Sequence, residues 1–444
     1  MTELAGHDDH VALVDVVTQR QVSYRELREL ISREATALRE AVGTDGIAAV
    51  FAANDVASIV ALYAGFAAGI PIALFDRALD EERARALIDR YRPEVIRGRV
   101  LDPAAPRGGV SPHRDLALLL STSGTIGSPK LVRLSASAVT SNARSIADAL
   151  GLGPDEVAIT SLPIHYAYGL SVLTSHLAAG ATVALTDHAV ISDAFWQACR
   201  DHGVTSLAGV PYSYEMLRRI DLGRVAPASL RTLTQAGGAL DPDLVRKFHS
   251  IATDRGGGLF VMYGQTEATA RIAVLPPSEL PARADSVGKA IPGGTLAVEA
   301  GEVVYRGPNV MMGYAEHRDD LARGDELGGV LHTGDLGELD GDGFLRITGR
   351  SRRIAKVFGR RVNLDELEAL AHRFAAGSAV AVIAGRDRVR VFVEGGGASV
   401  VDATRRGLAA ATGAHGSGFE VVELAALPRL ASGKLDYRAL GGDS

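Results

Sequence analysis

The chain has 444 residues, too many for one ordinary core, so two or three domains are expected. Hydrophobic residues make up 47%, mean hydropathy is +0.11, and the formal charge is −6 with a pI near 6.1. That balance fits a well-packed water-soluble protein and argues against a nucleic-acid binder, which carries a basic face.

The first ten residues are acidic and polar rather than a leader, and no apolar run reaches the roughly 18 residues of a membrane span. Residues 46–51 and 70–75 read as buried strands on either side of a helix over 56–68. Runs at 116–120, 158–162, 182–185, 207–210 and 259–263 continue the alternation of strand and helix, which predicts parallel sheets with helices on their faces. Ligands in such folds bind beyond the carboxyl ends of the strands. Cys199 is the sole cysteine, so no intrachain disulfide or cysteine-based metal cluster can form, and a reducing, cytoplasmic setting is expected. It lies on the apolar side of a predicted helix, as a buried inert thiol would.

From about 285 to 350, glycines, prolines and short strands (296–299, 302–305, 344–347) predict a small antiparallel subdomain. Beyond 350 the texture becomes α+β, with a helix over 364–374, strands over 379–383 and 388–393, and a helix over 401–411. The expected fold is therefore α/β. A large N-terminal part of helix-flanked mixed sheets with the antiparallel subdomain covers 1–350, and a small mobile α+β part covers 351–444.

Two segments carry most of the chemistry. Ser121, Thr122, Ser123, Gly124 and Thr125 open a small-residue stretch that ends at Lys130, directly after the apolar strand 116–120. Small residues let backbone N–H groups and hydroxyls approach phosphate oxygens, and a lysine adds charge. Pro129 stands where a Walker A loop has its second glycine, so this is not that loop. By its composition alone the stretch is equally a flexible surface loop. Far downstream, Ser432-Gly433-Lys434 and Asp436-Tyr437-Arg438 place a lysine ten residues from the end of the sequence.

Nine segments in order resemble the adenylate-forming superfamily of acyl-CoA synthetases, aryl-CoA ligases, luciferases and peptide-synthetase adenylation domains. They are 121–130, Leu162 to Gly169, Gln235 to Ala239, Tyr263 to Glu267, Gly301 to Tyr314, His332 to Asp335, Gly349-Arg350, Lys356 to Gly359, and 428–438. The resemblance implies ATP and magnesium as cofactors. A small-molecule acid is activated as an acyl-adenylate with release of pyrophosphate, then passed to CoA or to a carrier-protein pantetheine. It implies that Tyr263 stacks on adenine, with Gly237, Gly238, Ala239, Gly264 and Gln265 around the nucleotide. Thr266 would contact the α-phosphate and Glu267 hold the metal. Asp335 would take the ribose hydroxyls with Arg350 assisting, Lys434 would bridge carboxylate and α-phosphate, and Lys356 would approach pantetheine. Arg352 stands where the family has its hinge residue, an Asp or Lys. His165, Tyr166, Tyr168, Tyr212 and Gln235 would line the acid pocket, and their polar tips predict a polar or aromatic acid. Read as residues alone, the same rings can face the core with their tips bonded elsewhere.

The chain is shorter than most of the family, chiefly before Ser121, so a trimmed N-terminal subdomain is expected. Leu440 to Ser444 reads as a disordered tail, although it resembles a pantetheine attachment string. Two other readings compete: an adenylating enzyme with a non-thiol acceptor (an amine, or nitrite activation for diazotisation), and a non-catalytic nucleotide-binding module.

Overall fold

The computed structural model describes residues 4–43, 45–101, 108–121, 130–350, 353–357, 360–385, 388–412, 416–430 and 433–441. The chain divides into two compact units. One comprises Met1–Leu296 with Tyr305–Leu331, the other Ala297–Val304 with His332–Ser444.

The first unit is built on two sheets. In the larger, the strands Gly258–Tyr263, Thr232–Gln235, Ser206–Gly209, Val157–Ile159, Thr182–Leu185 and Val11–Asp15 run parallel in that spatial order. Antiparallel strands Ala273–Leu275 and Lys289–Ala290 finish one edge, and Arg20–Ser23 finishes the other. In the second sheet, Val95–Arg97, Ala48–Ala52, Ile72–Asp76 and Leu116–Ser121 are parallel, and Leu131–Ser135 and Gly313–Ala315 add antiparallel. The central strands are buried on both faces, which is why they read as continuous apolar runs.

Helix limits follow their caps. Val56–Ala68 begins where Asp55 accepts a hydrogen bond from the Ser58 amide at 2.8 Å, and it ends at Gly69 in the left-handed region (φ 72). Ala136–Leu150 starts the same way at Ser135, whose hydroxyl accepts from the Ala138 amide at 3.1 Å. Cys199 sits 1% exposed in the helix Asp193–Asp201, and burial pushes its thiol up to about 12, which keeps it protonated.

The second unit carries a sheet of Thr295–Glu299, Glu302–Arg306, Val330–Leu339 and Leu345–Arg350. This is the antiparallel subdomain expected from the glycine-rich texture. Its C-terminal part packs the helices Leu364–Phe374 and Gly397–Thr412 on the sheet Val380–Ala384, Val389–Glu394 and Phe419–Leu424, around Leu367, Ala371, Val382, Val391 and Leu408. Among the described residues no helix is long and apolar enough to cross a membrane.

Candidate active site

The buried strand Leu116–Ser121 delivers the exposed Ser121 at its carboxyl end. Thr122, Ser123, Gly124 and Thr125 lie outside the described residues, which resume at Lys130. There the chain returns antiparallel, with Ser121 opposite Leu131. The next strand over places Tyr314 opposite Val132. Lys130 Nζ stands 4.0 Å from the Tyr314 ring centroid, and the Tyr314 hydroxyl donates to Glu267 Oε1 at 2.8 Å. A cation, an aromatic hydroxyl and a carboxylate thus meet from three distant parts of the sequence. Arg133 holds the Tyr314 strand from behind. Its fully buried guanidinium donates to Met312 O at 3.1 Å and Tyr314 O at 3.2 Å and pairs with Glu326. Burial pushes the Arg133 pKa down, and Glu326 opposes the shift.

Glu267 is held by its own turn. After the strand Gly258–Tyr263, the chain makes a tight turn over Thr266–Ala268 and then places Thr269 (φ 54) and Ala270 (φ 97) in the left-handed region. Two non-glycine residues in succession there are costly and need outside support. Buried Asn309 supplies it: its Nδ2 donates to Ala268 O at 2.7 Å and Arg271 O at 2.9 Å, and its own carbonyl accepts from Thr269 Oγ1 at 2.6 Å. Gly264 is required by contact, since a Cβ there would stand 2.1 Å from Ala270 O. Thr266 is buried, whereas Tyr263, Gln265 and Glu267 are half-buried. On the neighbouring strand end, Gly237 takes φ 86, Gly238 and Ala239 are exposed, and buried Gln235 donates from Nε2 to Gly238 O at 2.8 Å. Gln235 therefore shapes this turn.

The expected acid-pocket residues separate into two groups. Tyr168 is 3% exposed and turns its hydroxyl to Thr234, 3.0 Å from the carbonyl and 2.9 Å from Oγ1, so its tip serves the sheet. Tyr214 does the same at 2.9 Å. Tyr166 meets Tyr168 edge-to-face at 6.4 Å, and Tyr212 is exposed on the short helix Pro211–Leu217. His165 is half-buried, with Nε2 3.8 Å from Asp76 Oδ2. Burial pushes its pKa down, while Asp76 and Asp187 oppose.

In the second unit, Asp335 is 6% exposed and sits opposite Arg350, whose Nε donates to Asp335 Oδ1 at 3.1 Å. Gly334 (φ 73) turns the chain just before it, with its amide donating to Glu302 Oε1 at 2.9 Å. The Arg350 amide donates to Asp365 Oδ2 at 2.8 Å. Arg353 pairs with Asp365 and Glu368, and its Cζ lies 4.0 Å from the ring centroid of Tyr437. The Tyr437 hydroxyl donates to Glu368 Oε1 at 2.6 Å. That contact anchors the hairpin carrying Lys434, which is closed by Leu430 N to Lys434 O and Asp436 N to Pro428 O, both 2.8 Å. Lys356 lies in the strand Ile354–Val357 in register with Arg361. Arg352 and Gly359 lie outside the described residues, as do Gly442 to Ser444. The sequence reading gave no role to Tyr314, Asn309 or the Arg353–Tyr437 clamp.

A parallel α/β scaffold with a Lys–Tyr–Glu cluster at its strand ends and a lysine hairpin in a second unit defines a nucleotide-handling class of protein. A family model described as "AMP-binding enzyme" matches residues 2–107 and 101–315, and the chain belongs to that family. It is 31% identical to the indoleacetate–CoA ligase of Aromatoleum aromaticum over 300 residues, which is 64% of this chain and 55% of that protein. It is 32% identical to the sulfoacetate–CoA ligase of Cupriavidus necator over 280 residues, 60% of this chain and 53% of that protein. The chain thus spans about half the length of these curated relatives. The fold matches that of the o-succinylbenzoate CoA synthetase of Bacillus subtilis in complex with its acyl-adenylate intermediate. The TM-score is 0.78 at 22% identity, covering 98% of this chain and 96% of that one.

Proposed function

We propose that the protein is an ATP- and magnesium-dependent acid–thiol ligase that converts a carboxylic acid to its acyl-adenylate, releases pyrophosphate, and passes the acyl group to CoA or a carrier pantetheine. The observation that carries this reading is the Lys130–Tyr314–Glu267 cluster, which puts a cation and an oriented carboxylate where the 122–129 segment begins and ends. The names of the relatives, CoA ligases for indoleacetate and sulfoacetate, support the acid and the thiol acceptor.

Glu267 fits a magnesium ion. Among the described residues no group of three His, Cys, Asp or Glu side chains forms a metal cage. Magnesium characteristically takes one or two carboxylates and completes its shell with substrate phosphates and water. Glu267 would hold the ion, which would neutralise charge on the phosphates. Lys130, Thr266 and the 121–125 segment would bind phosphate oxygens. Tyr263 would stack on the base, and Asp335, oriented by Arg350, would accept from the ribose hydroxyls. Lys434 would stabilise charge growing between carboxylate and α-phosphate as pyrophosphate leaves. Residues 351–444 would act as a lid bringing first Lys434 and then Lys356 to the reacting groups. Among acceptors, a thiol is favoured over an amine or nitrite because the named relatives are CoA ligases. The non-catalytic reading is disfavoured because the family's carboxylate and lysine both stand in place.

Lys434→Ala is expected to lower acid-dependent pyrophosphate exchange by about 100-fold or more, the scale of removing one electrostatic donor to a transition state, while ATP still binds. Undiminished exchange in that variant would remove Lys434 from the chemistry.

A further inference from the structure

Behind the candidate acid pocket lies a charge that the protein does not satisfy. Arg271 follows the left-handed pair Thr269 and Ala270, and its carbonyl is gripped by Asn142 Nδ2 at 3.1 Å and Asn309 Nδ2 at 2.9 Å. Its Cα packs against Gly264, where a Cβ would stand 2.8 Å away, so the residue is fixed beside the Tyr263–Glu267 motif. The side chain is 1% exposed, with the guanidinium carbon 4.7 Å from the Tyr168 ring centroid. Its hydrogen bonds are long, NH1 to Ala270 O at 3.4 Å and NH2 to Ser171 Oγ at 3.2 Å. Nε has no partner. Among the described residues no carboxylate pairs with it, and only Tyr168 and Tyr166 offset its burial.

A buried guanidinium without a counter-charge is strongly disfavoured unless something else supplies the anion. Arg271 lines an internal cavity of about 10 Å³, shared with Tyr168, Ser171, Ser175, His176 and Thr234. Space on that scale takes about one water, or the end of a compact group. The walls suit an anion: serine hydroxyls can rotate to donate, and no acidic side chain lines the cavity. Both nitrogens of His176 are engaged, by Val172 O at 2.8 Å and Ser206 Oγ at 3.1 Å. The cavity lies between the helix Ala167–Ala178, which begins just after Tyr166, and the strands ending at Gly209 and Gln235.

We propose that Arg271 recognises a second anionic group on the acid, so that the enzyme activates one end of a short dianionic acid (a dicarboxylate or a sulfonated carboxylate) while the other end pairs with Arg271. The inference rests on the adenylation reading above and narrows its substrate class. It also accounts for the strained turn, which aims a cation away from every internal carboxylate.

The test compares matched acids that differ only in the distal group, butyrate against succinate and phenylacetate against 3-carboxyphenylacetate, by acid-dependent pyrophosphate exchange. In the unaltered enzyme the dianionic member of at least one pair is expected to show the higher kcat/KM. In Arg271→Met the dianion-to-monoanion ratio is expected to fall on the order of 100-fold, as when one partner of a buried charge pair is removed. Arg271→Lys should restore part of it. Because Arg271 lacks a partner, the unliganded Met variant should also melt no lower than the parent protein. A ratio at or below one in the parent, a ratio unmoved by the substitution, or a melting point lowered equally by Met and Lys would overturn the proposal in favour of a packing role. If neither member of any pair supports exchange, the adenylation reading fails by itself. The subsite is then judged by melting shifts with the acids alone: an Arg271-dependent rise with succinate or 3-carboxyphenylacetate supports it, and no such rise overturns it.

Discussion

Two residues illustrate how strictly the site is built. At Gly264 an added Cβ would meet the Ala270 carbonyl oxygen at 2.1 Å and the Arg271 Cα at 2.8 Å, both main-chain atoms that cannot swing aside. Gly264→Ala is expected to cost about 1–3 kcal/mol, read as a fall in Tm of several degrees. An unchanged Tm would mean that the turn is looser than its hydrogen bonds imply. His176 sets a pH response. Burial pushes its pKa below the ordinary 6.5, with Val172 O and Glu156 opposing. The unfolded chain therefore takes up a proton there that the folded chain refuses. Stability is fully present above about pH 6.5 and falls as pH drops below it, by at most about 1.4 kcal/mol per pH unit for one such group. His165, whose pKa burial also lowers, adds to the same slope. His176→Gln should flatten the fall in Tm between pH 6.5 and 5; an identical slope in the variant would assign the acid sensitivity elsewhere.

At the scale of elements, the hairpin carrying Lys434 is tied to the helix Leu364–Phe374 through Tyr437 and Glu368, and Arg353 lies over the Tyr437 ring. Tyr437→Phe keeps the ring and removes one hydrogen bond to a carboxylate, a loss of about 1.5–3 kcal/mol. If the clamp positions Lys434, kcat for adenylate formation should fall about tenfold or more, while KM for ATP stays near its original value. A rise in KM with kcat unaltered would place the clamp's effect on binding instead. Elements of this kind differ in how openly the sequence shows them. The helix Val56–Ala68 was readable because Asp55 and Gly69 bracket an apolar run, and the strand Leu116–Ser121 because both its faces are buried. The hairpin of Val11–Asp15 with Arg20–Ser23 was not, being two short strands joined through Gln19 at φ 57 without a glycine signal. Tyr314 and Asn309 were hidden for a different reason. Each acts on a residue more than thirty positions away, and only sheet pairing and packing bring them there. Arg271 was hidden because its aim depends on left-handed backbone at Thr269 and Ala270, a conformation those residue types seldom announce.

Over the whole molecule, the order of the short motifs was more informative than composition, which excluded partners but named none. The family and the fold follow from that order, and the matching family model spans the first unit. The residues that choose the acid lie between the motifs, on a wall whose expected polar tips are partly spent on the sheet at Thr234. The most direct test of the account is magnesium-dependent pyrophosphate release from ATP across a panel of aryl, short-chain and fatty acids and nitrite, each with and without CoA. The account predicts release that depends on one class of acid, is lost in Glu267→Gln and Lys434→Ala, and is stimulated by CoA or pantetheine. Release with nitrite alone, or none with any acid although ATP binds, would contradict it.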